Sequence, residues 1–124
     1  MKVLNGDIFG AVQAFQELLK VELPVKTSWM VAKLAAKVNS RFKHIESVRS
    51  GLVARYGVRN PENGQSEIKP DSQNWEDFVA GFNELMEQED EIDMDKITLP
   101  EEANGKPIVV SAGTLAALEK FIEV

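Results

Sequence analysis

Apolar residues recur along the chain at helical spacing in three separate stretches. From Thr27 to Tyr56 there is no proline, and Val31, Val38, Ile45 and Leu52 return at steps of seven. Ala35, Phe42 and Tyr56 add a second row four residues further on. This spacing predicts one helix of about thirty residues, near 45 Å long, with a stripe wide enough to bury against other helices. Thr27 is the expected N-cap and Gly57 the C′ residue, while Gly51 weakens the interior by roughly 1 kcal/mol relative to alanine. A first helix is predicted from about Asp7 to Lys20, where Ile8, Val12, Phe15 and Leu19 keep a 3.6 period, with Asn5 or Asp7 as its cap. Pro24 forces Leu23 out of helical geometry, so the two helices meet through a short elbow and run antiparallel.

The long helix outruns its partner, and its far half needs another cover. The segment from about Ser72 to Glu87 supplies one, with Trp75, Phe78, Val79, Phe82 and Met86 on one face and Asp71 or Ser72 as cap. Between them, residues 57–71 are dominated by turn formers. Asn63-Gly64 is a hairpin signal, but its flanks are so polar that an exposed, mobile arm is expected instead.

Val3-Leu4 and the alternating run Glu91-Ile92-Asp93-Met94-Asp95 read as short strands, continued by Ile97 and Leu99 after a slip near Lys96. Pro100 to Gly105 is expected to be a loop and Pro107 to Val110 a further strand. Ser111 then caps a last helix with Leu115, Leu118, Phe121 and Ile122 inward. The sum is a single mainly α domain of α+β class over 1–124. It combines an antiparallel helical hairpin, a third crossing helix, a two- or three-stranded sheet and a C-terminal helix.

Composition narrows the chemistry. There are no cysteines and one histidine, His44, in 124 residues. Disulfides, thiol catalysis and two-histidine metal sites are excluded within one chain, and what remains for an enzyme is carboxylate chemistry. No enzymatic activity, cofactor or metal is expected. Asp90 to Asp95 fails as a calcium loop, because Ile92 and Met94 stand where oxygen ligands are required. No apolar run is long enough for a membrane span. Residues 1–7 lack a signal peptide's apolar region, so a cytoplasmic location is expected.

Charge is strongly divided. Residues 26–59 carry eight basic side chains against Glu46 alone, a balance of +7, and the rest carries −13, giving the net −6. Nine acids fall between Glu84 and Glu102. The basic helix suggests nucleic-acid binding and the acidic part suggests a DNA-mimicking inhibitor. The acidic total and the spread of the basic residues around the helix favour mutual neutralisation over either. As candidate partner-binding residues we single out Trp29, Val31, Lys33, Lys37, Arg41, Asp90, Glu91 and Asp93, with Trp29 as an exposed anchor.

The order Lys2-Val3-Leu4-Asn5-Gly6-Asp7-Ile8, Leu23-Pro24-Val25-Lys26-Thr27, Arg55-Tyr56-Gly57 and Glu91-Ile92-Asp93, with Ser111-Ala112 opening a terminal helix through Leu115 and Leu118, resembles a family of small bacteriophage and prophage proteins. The resemblance covers most of the chain and is carried by structural motifs. It implies a viral origin, in a bacterial host cytoplasm or a virion, and assigns no chemistry. The expectation is a non-enzymatic interaction protein for virion assembly or an accessory task, forming a homo-oligomer or binding a phage or host protein. A small inhibitor of a host protein is the alternative.

Overall fold

A computed structural model describes residues 1–124. Helix α1 spans Asn5–Leu18 and α2 spans Val25–Tyr56, with α3 at Trp75–Met86 and α4 at Ala112–Ala117. About half of the chain is helical, and the mainly α, α+β class is as expected. The strands are short: β1 (Lys2–Leu4), β2 (Val58–Arg59), β3 (Ser66–Glu67), β4 (Glu89–Glu91), β5 (Ile97–Thr98), β6 (Glu102–Ala103), β7 (Lys106–Pro107) and β8 (Ile122–Glu123).

The helix starts differ from the sequence reading in ways that backbone geometry explains. Helix α2 runs 32 residues, about 48 Å at 1.5 Å per residue. Pro24, not Thr27, is its N-cap, and the Pro24 carbonyl accepts from the Ser28 N–H at 2.9 Å. A proline loses nothing at that position, because its missing N–H would have had no helical partner. In α1 the cap is Leu4, and Asp7 reaches back to accept from the Leu4 N–H at 2.9 Å, half of a capping box. Helix α3 begins three residues later than expected, at Asn74 as cap. Ser72 instead turns the preceding loop, its Oγ accepting from the Lys69 N–H at 3.1 Å.

The core forms where α1 lies against the first half of α2. Ile8, Phe15 and Leu18 pack with Val31, Leu34 and Val38, in one cluster of 17 buried residues. Ile92, Ile97, Leu118 and Phe121 close it from the C-terminal side, with the Phe15 and Phe121 rings edge to face at 5.5 Å. Every buried side chain is apolar. Helix α3 covers the far half of α2, as expected: Gly81 is close enough that an added Cβ would stand 3.2 Å from Leu52. Phe9, Phe82, Phe78 and Trp75 form a run of rings linking α1 to α3 at centroid spacings of 5.6 to 6.1 Å.

Instead of one small sheet there are four two-stranded ribbons. Strand β1 pairs antiparallel with β4, joining Val3 to Asp90, and β5 pairs parallel with β8. The expected loop at 100–105 holds a tight hairpin, β6 with β7, turned by Asn104 and Gly105 at φ 55° and 78°. Two successive positive φ values make a type I′ turn, which Asn-Gly suits. Of the strand expected at 107–110 only Pro107 pairs, in β7 with Lys106. The arm at 57–71 also pairs, β2 with β3. Its polar loop is closed by Asn60 N–H donating to Gln65 O at 2.7 Å and by Asn60 and Asn63 side chains accepting from Glu62 and Gln65 N–H. Side-chain oxygens thus turn a hairpin where the polar flanks had led to an open arm being expected.

Candidate functional site

The surfaces of α2 decide what the molecule can present. Its seven-step stripe is spent on the core: Val31, Val38 and Ile45 are buried together with Leu34, so Val31 is removed from the candidate contact residues. Valine at that position faces α1 and holds the fold together.

A second apolar row takes its place on the opposite side. Val25, Trp29, Ala32 and Ala36 follow at steps of four, three and four, and all are exposed, Val25 by 88% and Trp29 by 66%. Alanines count weakly toward a hydrophobic pattern, so this row was overshadowed in the sequence by the bulkier one.

The row borders a half-open groove between α1 and α2. Val12, Phe15, Gln16 and Leu19 form its α1 wall, and Ala32, Ala35, Ala36, Val38 and Asn39 its α2 wall, enclosing about 300 Å³. Seven of these nine lining residues are apolar, and Leu19 is 49% exposed. The small side chains of α2 keep the groove from being filled from within. Val12, Leu19, Val25, Ala32 and Ala36 are therefore candidate contact residues that sequence reasoning missed.

Charge is distributed on α2 in a more ordered way than expected. At about 100° per residue, Lys26, Lys33, Lys37, Arg41 and Arg55 fall within one sector of about 80° on the unbroken helix. They form a row on the flank beyond Trp29. Lys26 and Lys33 bracket Trp29 at three and four residues, and no acid pairs with them or with Lys37.

Mutual neutralisation by the acidic half is confined to one place. Arg41 meets Asp90 at 3.3 Å, and one of its terminal nitrogens donates to the Glu91 carbonyl at 3.0 Å. Its buried Nε makes no hydrogen bond, so the contact with Asp90 is electrostatic. Arg41, Asp90 and Glu91 are thus brought together, whereas Trp29, Lys33 and Lys37 lie further back along α2. The Glu91 and Asp93 side chains are exposed. Placing Glu89, Asp90 and Glu91 against the middle of the basic row opposes a phosphate backbone laid along it.

The far half of α2 carries its own ion pair. Arg49 Nε donates to both Glu46 carboxylate oxygens at 3.1 Å. That hydrogen bonding holds the Glu46 carboxyl below its ordinary pKa, against partial desolvation and with the Arg49 charge assisting. No three or more of the His, Asp and Glu side chains converge in a group that could hold a metal ion. No helix is long and apolar enough to cross a membrane.

No family model matches the chain, and no curated protein or solved structure matches it either.

Proposed function

We propose that this protein is a non-catalytic interaction module that seats a protein partner on the outer face of the α1–α2 hairpin. In the setting that the phage resemblance implies, the task is assembly or an accessory role on a host component. The observation that carries the reading is the exposed row Val25, Trp29, Ala32 and Ala36 beside a groove of about 300 Å³. Isolated exposed apolar residues are ordinary, but a contiguous apolar face with a tryptophan at its edge marks a contact surface.

A photoreactive residue in place of Ala36, with a second variant carrying it at exposed Asn83 as control, tests this in producing cells. The expected result is a discrete protein adduct from position 36 that Trp29→Ala removes. An adduct at twice 13.8 kDa would make the partner a second copy. Equal labelling from both positions, or none from position 36, would overturn the docking face.

A further inference from the structure

We propose that the partner of this face is an amphipathic helix with large aliphatic anchors and acidic residues along one flank. The inference rests on the docking face proposed above and adds the chemistry of what occupies it.

Three features select that occupant. The floor is shaped for a helix: Ala32, Ala35 and Ala36 let another backbone approach closely, and the space they leave calls for bulky side chains from the partner. The groove itself runs from Ala32 to Asn39, about 10 Å at 1.5 Å per residue, and the exposed row extends the apolar face back to Val25, about 21 Å or four helical turns in all. Anchors spaced three and four residues apart on the partner would follow it.

The two rims differ, and that difference sets the partner's charge. On the α2 side, beyond Trp29, stand Lys26, Lys33 and Lys37, whose ammonium groups have no acidic partner in the fold. Toward α1 the lining polar groups are the neutral amides Gln16 and Asn39, and beyond them Glu17 and Lys20 already pair at 3.4 Å. A helix lying in the groove therefore meets uncompensated positive charge along one flank and none along the other. Acids on that one flank fix its orientation as well as its sign, because reversing the helix end for end moves them to the neutral rim.

A second copy fits worse. Two copies packed antiparallel across this face would set the Lys26–Lys33–Lys37 row of each against that of the other. Like charges so placed repel.

The test uses three labelled eighteen-residue peptides with identical leucine anchors and a flank of glutamate, glutamine or lysine, titrated into the full chain by fluorescence anisotropy. The glutamate peptide should bind about tenfold more tightly than the glutamine one at low salt, as expected for three exposed charge pairs. The gap should close as salt screens them. Lys33→Glu with Lys37→Glu should reverse the order in favour of the lysine peptide. Trp29→Ala and Ala36→Glu should each weaken the glutamate peptide.

Equal binding of all three peptides, still abolished by Ala36→Glu, would overturn the acidic partner and leave the docking face standing. Absence of binding to any peptide, with a heterologous adduct still forming at position 36, would also overturn the helical acidic partner alone. Binding indifferent to both Trp29→Ala and Ala36→Glu would place the peptides elsewhere and overturn this proposal. A two-chain species by light scattering, dissociated by Trp29→Ala, would give the groove to a second copy and overturn it too.

Discussion

The two halves of α2 are one helix under two different covers. From Val25 to Val38 it is clasped by α1, which buries Val31 and Leu34 completely and Val38 almost so, while the opposite side is left apolar and open. From Asn39 to Tyr56 the cover is α3 and the β2–β3 hairpin, and only Ile45 is buried. Leu52, Val53 and Tyr56 remain half-buried. The near half concentrates stability on one side and leaves contact surface on the other. The far half divides its exposure more evenly and meets part of its charge within the fold, Arg49 pairing with Glu46 and Arg41 with Asp90. The difference teaches that length, which makes α2 the organising element, does not make it uniformly a core element.

The largest effect should come from cutting equal side chains out of the two halves. Leu34 is fully buried, so Leu34→Ala removes a leucine from a closed site and should cost about 3–5 kcal/mol, within the range for core leucine truncation. Leu52 faces Gly81 of α3 but stays half-buried, and Leu52→Ala should cost about 1–2 kcal/mol, reflecting its smaller loss of buried area. Urea unfolding of the two variants at a common pH measures both. Costs that agree within error would mean that the far half is packed as firmly as the near one, and the comparison would break.

The next effect sharpens the far half at its edge. Gly57 ends α2 in extended backbone, and a Cβ there would collide with the carbonyl oxygens of Glu67 and Val53. Conformational freedom is not at issue, because φ is −87°. What the position needs is room for β3 to cross close to the helix end. Gly57→Ala should therefore cost about 1–3 kcal/mol, as overpacking does. Amide exchange should quicken first in residues 58–67, where β2 and β3 pair. Unchanged exchange there, with stability intact, would show the hairpin to be independent of the close approach.

These contrasts also show what was legible in the sequence. The near half was readable, because Val31 and Val38 repeat at a helical period, carried on into the far half by Ile45, and bulky apolar residues bury on that period. Helix α3 as cover for the far half, and Ser111 as cap of α4, with its Oγ accepting from the Thr114 N–H at 3.2 Å, were readable for the same local reasons. The ribbons were not. A ladder of two or three residues carries no period, and whether β1 meets β4 or β5 meets β8 is decided by contacts some 90 and 25 residues apart along the chain. The candidate site was half legible. Trp29 stood out by its chemistry, whereas the groove beside it is made of alanines whose meaning depends on α1 leaving them uncovered. Val31 was assigned to the surface for want of that information. The basic row was obscured because one turn of it spans several residues of sequence and only the unbroken helix lines it up.

The smallest expected effect separates the two halves by charge. In the far half Glu46 accepts from Arg49, which lowers its pKa in the folded state chiefly through that hydrogen bond. A carboxyl whose folded value lies below its unfolded value binds protons more readily when unfolded. Its contribution is therefore present above the unfolded pKa and is lost as pH falls through the folded one. Both side chains are about a third exposed, so solvent screens the pair and Glu46→Gln should cost no more than about 0.5 kcal/mol at neutral pH. Unfolding curves of the two proteins should converge below the ordinary carboxylate range, where the glutamate is protonated in both states. In the near half, Lys33→Gln removes an unpaired ammonium more than three turns away from Glu46 and should leave stability unchanged at either pH. A larger loss from Lys33→Gln than from Glu46→Gln would mean that the near row is held by contacts within the fold. Its lysines would then not be free to meet a partner.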